Sequence, residues 1–261
     1  MGEPVPRGGV LFNRDWFKPF DWLWESGPNC RGVVANGRKI VKPQFLHGAV
    51  PDKDGNMAPS FSPIMVVDAS LGKKGSDFAA LGIFGIDDQC SEVYVLHIDN
   101  RRIPIDVFVD EMSILEDQWR PDMCLIESNG FQVLLAKSAR AVLRCPVVEI
   151  KPEGKSKKAR AIQAIELAGA GGVYIPFGAS WTGEFLTQLS RWTGADGEKD
   201  DIVDILCYAV RQMYRWRGSG ALPTPGSTPY ATAPGSAPGG AFTPHAPIPS
   251  RSFSNPGRTG G

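Results

Sequence analysis

Acidic side chains interrupt three apolar stretches of this sequence. Asp68 lies within the β-branched run IMVVDAS, and Glu127 closes the run MCLIE. A third group, made of Asp200, Asp201 and Asp204, stands at the start of the apolar segment IVDILCYAV. A charged carboxylate in apolar surroundings is unfavourable unless it meets a cation or another partner. These acids are therefore the first candidates for catalytic or metal-binding residues.

Each acid taken alone also has a simpler structural role. Asp68 could cap the turn after its strand, and Glu127 could point to solvent from a strand end. Acids in a first helical turn interact favourably with the helix dipole. However, Asp204 follows Asp200 and Asp201 by one turn, so at least two carboxylates share a face, whereas capping needs only one.

The hydrophobic pattern predicts the elements that position these acids. Three β-branched or apolar runs joined by short turns, IMVVDAS, FAALGIFGI and EVYVLHID, predict an antiparallel meander. Helices and strands then alternate: a helix in IPIDVFVDEMSILEDQW, the strand MCLIE, a helix in GFQVLLAKSARAVLR, the strand PVVEI, a helix over 156–168, the strand GVYIP, and helices over 181–189 and 200–215. This order predicts the α/β class, with a ribonuclease H-like mixed sheet of three antiparallel strands and then parallel strands, flanked by helices.

That element order predicts that the acids converge. Asp68 lies on the first strand, Glu127 ends the neighbouring fourth strand, and Asp201 opens a helix packed across both. Three carboxylates at one sheet edge repel one another unless a divalent metal lies between them. A ligand set made only of oxygen atoms suits Mg²⁺ or Mn²⁺ rather than zinc.

Charge and composition limit the other functions. The formal net charge is zero, which argues against binding to nucleic acid through bulk positive potential but is compatible with a local basic patch. Such residues follow the Asp68 strand or begin a later helix, and they either contact DNA phosphates or form a solvated face: Lys73, Lys74, Lys155, Lys157, Lys158 and Arg160.

The chain divides into three regions by composition. Residues 1–60 predict an irregular lead-in or connector whose aromatic residues pack on the following domain, 61–217 form that domain, and the Pro- and Gly-rich residues 218–261 predict a disordered tail. The five cysteines include no CxxC pair, which indicates reduced thiols. No long apolar run or signal peptide is present, so we expect a soluble intracellular protein without membrane contact.

Five segments together resemble the C-terminal nuclease domain of phage terminase large subunits, over about residues 12–216: VVDASLGKKGSDFAALGIFGI, LIESNGFQ, KSKKARAIQ, GVYIPFGASWTGEFLTQLSRW and KDDIVDILCYAV. The resemblance implies a ribonuclease H fold and cutting of concatemeric double-stranded phage DNA during genome packaging, in the cytoplasm of the bacterial host. It also implies hydrolysis with two Mg²⁺ or Mn²⁺ ions, one activating water and the other stabilising the leaving oxygen.

The resemblance assigns roles to the acids. Asp68 carries over as the ligand that bridges both ions, while Glu127 and Asp201 each hold one. Asp200 and Asp204 are near neighbours that remain candidate ligands. The family commonly has a histidine before the Asp pair, where this chain has Lys199.

Terminase large subunits usually begin with an ATPase motor, but no GxxxxGK[ST] phosphate loop occurs in this sequence. A split gene, a prophage remnant or a shortened chain would each account for this, and the expected partners are a separate packaging ATPase, the portal and the small terminase subunit.

Two alternatives to the terminase function stay open. One is a Holliday-junction resolvase or transposase-like nuclease of the same fold, although no helix-turn-helix module accompanies it. The other is a packaging adaptor that is not an enzyme, against which the intact acids count.

Overall fold

The computed structural model describes residues 11–24, 30–42, 59–69, 79–102, 104–127, 132–151, 154, 156–195 and 197–220. Within these residues a single nine-stranded mixed sheet is flanked by helices. The strands are β1 Lys18–Trp24, β2 Cys30–Ala35, β3 Arg38–Val41, β4 Phe61–Ala69, β5 Ala79–Asp87, β6 Val93–Arg101, β7 Met123–Glu127, β8 Val147–Ile150 and β9 Val173–Pro176. The helices are α1 Ile105–Trp119, α2 Gln132–Val142, α3 Lys157–Gly169, α4 Thr182–Arg191 and α5 Asp201–Ser219.

Strands β4 to β8 have the predicted topology. Strands β4, β5 and β6 pair antiparallel, β7 lies parallel to β4, and β8 lies parallel to β7. Short connections favour antiparallel neighbours, whereas a helical crossover returns the chain parallel to the strand it left. The predicted ribonuclease H-like order of three antiparallel strands followed by parallel ones is therefore confirmed.

The sheet continues beyond β6 in a way that the sequence did not predict. Strand β9 lies parallel to β6, and β1 lies parallel to β9. Strands β2 and β3 complete an antiparallel hairpin whose turn, at Asn36 and Gly37, has positive φ at both residues. The lead-in, which was expected to be irregular, thus contains three strands. The sequence pattern did not predict them because β1 pairs with β9, which lies more than a hundred residues later in the chain.

Both faces of the sheet are buried, and alternate residues of β4 contribute to each face. Ile64 and Val66 pack in a core with α5, whereas Met65 and Val67 pack in a second core with α1 and α2. By this alternation Asp68 continues the series of Ile64 and Val66 and faces the α5 side. The sheet therefore directs the first candidate ligand toward the helix that carries the Asp200 group.

The aromatic residues of the lead-in pack against the domain, as expected. Phe17 makes an edge contact with Phe185 on α4, with ring centroids 5.8 Å apart, and Phe12 packs on Trp192. At the other end of the chain, α5 runs through Ser219, two residues into the predicted tail. The rest of that tail, from residue 221, lies outside the described residues. In the described part of the chain, no helix has the length and apolarity that crossing a membrane requires.

Candidate functional site

Asp68 and Glu127 lie level with each other at the carboxyl ends of two neighbouring strands. In the parallel pairing of β4 with β7, Val67 is opposite Ile126, and the acids are the next residue on each strand. Side chains at the same level of adjacent strands point to the same face. Both acids are buried, with 8% of each residue exposed. The two carboxylates therefore lie at the same edge of the sheet, and their role as metal ligands stays a prediction.

Asp204 completes a group of three acids. It lies in the first turn of α5, where its N–H donates to the Asp200 carbonyl oxygen at 2.8 Å. Carboxylate oxygens of Asp68, Glu127 and Asp204 all lie within 4.8 Å of one another, and all three residues are buried. Three elements that are far apart in the sequence thus place their acids at one point.

The other two acids at the start of α5 have different environments. Asp200 is the buried N-cap residue of the helix and forms an ion pair with Lys157. Asp201 is partly exposed and does not belong to the close group of acids found among the described residues. Its assignment as the third ligand stays a prediction, while the geometry favours Asp204.

The electrostatics of the group fit a divalent cation. Burial, followed by the nearby Glu127 and Asp204 charges, raises the pKa of Asp68 well above its ordinary value. Burial and the charge of Asp200 raise the pKa of Asp204 to about 7, although Arg160 opposes this shift. Carboxylates that repel one another in a buried site are stabilised by a shared cation. Three carboxylates suit Mg²⁺ or Mn²⁺, so the residues fit the expected metal.

Two of the predicted DNA-binding residues point toward the acids. Lys157 and Arg160 share one face of α3, and Arg160 Nη2 lies 3.4 Å from Asp204 Oδ1 while Lys157 pairs with Asp200. Lys158, between them, is exposed. Lys73, Lys74 and Lys155 lie outside the described residues. Contact between these basic residues and DNA stays a prediction.

Tyr208 is a site residue that the sequence reasoning missed. Its hydroxyl donates to Glu127 Oε2 at 2.6 Å and accepts from Arg160 Nη1 at 3.0 Å. Burial and the Glu127 charge raise the pKa of Tyr208, which keeps the hydroxyl protonated as a donor. The available signal was its position four residues after Asp204, which places both side chains on one face of the helix.

No protein-family model and no curated protein sequence matches this chain. Solved structures similar to it include terminase nucleases and, with lower TM-scores, Holliday-junction resolvases from fowlpox virus and T. thermophilus. The large terminase nuclease from thermophilic phage G20c, with bound magnesium, superposes with a TM-score of 0.48 and 15% identity over 79% of this chain and 99% of that one. The nuclease domain of the large terminase subunit of bacterial virus Sf6 gives 0.45 and 12%, over 64% of this chain and 96% of that one.

A more distant similarity is to the human cytomegalovirus terminase nuclease domain, which was soaked with manganese. It gives a TM-score of 0.43 and 11% identity, over 58% of this chain and 84% of that one. These proteins belong to the family that the sequence motifs resemble. At identities and TM-scores this low the similarity concerns the fold, and the chain's own carboxylates carry the evidence for function.

Proposed function

We propose that this chain is a divalent-metal-dependent endonuclease that cuts double-stranded DNA during phage genome packaging, as the nuclease part of a terminase large subunit. The observation that carries the proposal is the group formed by Asp68, Glu127 and Asp204, whose carboxylate oxygens lie within 4.8 Å of one another. A buried cluster of like charges is costly to the fold, and a bound divalent cation offsets that repulsion. The sequence motifs supply the substrate class.

The ligands in this proposal are Asp68, Glu127 and Asp204, with Mg²⁺ or Mn²⁺ as the metal and two ions as the full complement. When bound, the metal supplies Lewis-acid stabilisation of the scissile phosphate and a hydroxide nucleophile at neutral pH. Asp68 lies on β4, which pairs with β7 and is in contact with α5, and it would be the candidate to serve both ions. Asp201 is the alternative third ligand.

The surrounding residues hold the carboxylates in place. Tyr208 donates a hydrogen bond to Glu127, and Arg160 partly offsets the charge of Asp204. Lys157 neutralises Asp200, so that acid does not add its full charge to the group. By the motif resemblance, the chain would act with a packaging ATPase, the portal and the small terminase subunit.

Nicking of supercoiled plasmid DNA in Mg²⁺ or Mn²⁺ tests the proposal. Asp68→Asn and Asp204→Asn keep side-chain shape but remove a ligand charge, so we expect at least about a 100-fold loss of rate. Asp201→Asn makes the same change on the same helix and is the matched control, with most of the rate retained. Chelation with EDTA should abolish nicking by the parent protein.

Several outcomes would change the assignment. Equal rates for the parent and for Asp68→Asn would refute the metal site. Loss in Asp201→Asn with retention in Asp204→Asn would make Asp201 the third ligand. Cleavage confined to four-way junctions would favour a resolvase, and DNA binding without metal-dependent cutting would favour a packaging adaptor.

A further inference from the structure

One side chain of α3 is linked to two of the proposed ligands. Arg160 Nη2 lies 3.4 Å from Asp204 Oδ1, and Arg160 Nη1 donates to the Tyr208 hydroxyl at 3.0 Å. That hydroxyl donates onward to Glu127 Oε2 at 2.6 Å. Arg160 has 12% of its side chain exposed, and Tyr208 is 2% exposed. The path from Arg160 to Glu127 is therefore largely shielded from water.

The direction of these hydrogen bonds follows from their chemistry. A guanidinium group has donors only, so the Tyr208 oxygen must accept from Arg160. The single hydroxyl proton of Tyr208 is then directed to Glu127 Oε2, which accepts it. Arg160 thus fixes the direction in which Tyr208 donates. The planar guanidinium can meet two acceptors at once, which a lysine ammonium on one stem cannot reproduce in the same geometry.

We propose that Tyr208, oriented by Arg160, is a positioning residue that fixes the Glu127 carboxylate for metal binding. This inference rests on the proposed function, since it presupposes a metal at the Asp68 group. A glutamate side chain has three torsions, and a hydrogen bond to one carboxylate oxygen limits rotation of the whole carboxylate group. Removing a side chain that is hydrogen-bonded to a metal ligand generally lowers metal affinity by about 10- to 100-fold.

The chain contains a matched control for this inference. Tyr94 is also fully buried, and its hydroxyl also donates to a glutamate, Glu92. Glu92 also pairs with Arg38 and accepts from the Tyr174 hydroxyl, so here the arginine contacts the glutamate directly, whereas Arg160 contacts the tyrosine hydroxyl. Glu92 is not a member of the carboxylate group. Tyr94→Phe therefore removes a similar hydrogen bond without touching the proposed metal ligands.

Calorimetric titration of the full chain with Mn²⁺ tests the inference without relying on activity. Tyr208→Phe deletes only the hydroxyl, and we expect it to weaken Mn²⁺ binding about 10- to 100-fold. Arg160→Lys keeps the positive charge but loses the simultaneous contact with Asp204 and Tyr208, so it should also weaken Mn²⁺ binding. Tyr94→Phe should bind Mn²⁺ as the parent does. Thermal melting of each variant establishes that it is folded.

The results separate this inference from the proposed function. Parent-like Mn²⁺ affinity in Tyr208→Phe, or equal weakening in Tyr94→Phe, would overturn the positioning role and leave the metal site intact. If Tyr208→Phe does not fold, parent-like Mn²⁺ affinity in Arg160→Lys overturns the role instead, although weaker binding there also includes the loss of the Arg160 contact with Asp204. A parent protein that binds no Mn²⁺, or that binds it as well after Asp68→Asn, would overturn the proposed function and this inference together.

Discussion

Buried acids occur in two different settings in this molecule. Glu116 is 1% exposed, yet its carboxylate accepts from the backbone N–H groups of Arg144 and Cys145 and also pairs with the Arg144 guanidinium. Its charge is matched within the fold, which explains its burial without any ligand. Asp68 instead faces Glu127 and Asp204. Burial alone does not mark a site, whereas burial beside other acids does.

Asp122, the residue immediately before β7, provides a test that is separate from the metal site. Burial raises its pKa to about 6, although a hydrogen bond from Ser62 acts in the opposite direction. Because the folded-state pKa lies above the unfolded value, this group favours folding at low pH, and the contribution is lost as pH rises from about 4 through about 6.

We expect Asp122→Asn to be more stable than the parent at pH 8 and to show a weaker fall in the free energy of unfolding between pH 4 and 7. A shift of about two pKa units sets an upper limit of about 3 kcal/mol. Urea unfolding across this range measures the effect. The control is Asp88→Asn, in an exposed turn. If the two variants have the same pH dependence, Asp122 is not the responsible group.

At the scale of elements, the close approach of α5 to the sheet brings Asp204 to Asp68. Gly82 on β5 permits this approach, because a Cβ atom there would lie 2.4 Å from the Phe84 ring and 3.1 Å from Ile205 Cδ1. Ile205 is the residue after Asp204. The glycine therefore leaves room for the Phe84 ring and for Ile205 of α5.

We expect Gly82→Ala to lower the free energy of unfolding by about 1–3 kcal/mol, the usual cost of overpacking a core, and to reduce nicking as α5 is displaced. Chemical denaturation and the plasmid assay measure the two effects. Gly183→Ala on α4 is the control, because a Cβ there meets nothing within 4 Å. It should be neutral or stabilising by up to about 1 kcal/mol. Equal stability of both variants would show that Phe84 and Ile205 adjust freely.

The elements with clear periodicity could be predicted from the sequence, and those that depend on a distant partner could not. Strands β4 to β9 and helices α1 to α5 are found where hydrophobic patterns predict them. The pairing of β1 with β9 leaves no local signal in KPFDWLW. At the site, Asp68 and Glu127 follow from strand order alone. The choice between Asp201 and Asp204 depends on the rotation of α5 about its axis, which a sequence pattern fixes poorly.

The basic residues of α3 illustrate the same limit. A run of lysine and arginine looks alike in sequence whether it faces DNA or acids on a neighbouring helix. In the structure, Lys157 and Arg160 pair with Asp200 and Asp204, and only a three-dimensional arrangement could reveal this. The functional meaning of a charged residue thus depends on its neighbours.

For the whole molecule, the balance of 28 basic and 28 acidic residues predicts weak, salt-sensitive binding to DNA. Since Lys157 and Arg160 are engaged with acids, Lys158 is the exposed basic residue of α3 best placed for phosphate contact. We expect Lys158→Ala to weaken binding and to lower the slope of log affinity against log salt by about 0.9, the value for one phosphate contact.

Fluorescence anisotropy titrations with duplex DNA at several salt concentrations measure that slope. Lys137→Ala is the control, because Lys137 is exposed on α2, on the opposite face of the sheet. A slope that changes equally in both variants would show no preferred DNA face. Tight, salt-insensitive binding to one sequence would indicate a resolvase or transposase-like enzyme instead.

The three close acids come from β4, β7 and α5, which lie about 60 and about 75 residues apart along the chain, so they meet only after the slow, long-range steps of folding. During synthesis on the ribosome, Asp204 emerges last among them. A nascent or half-folded chain therefore holds isolated acids that capture divalent metal poorly. The proposed metal site therefore forms only when the fold is complete.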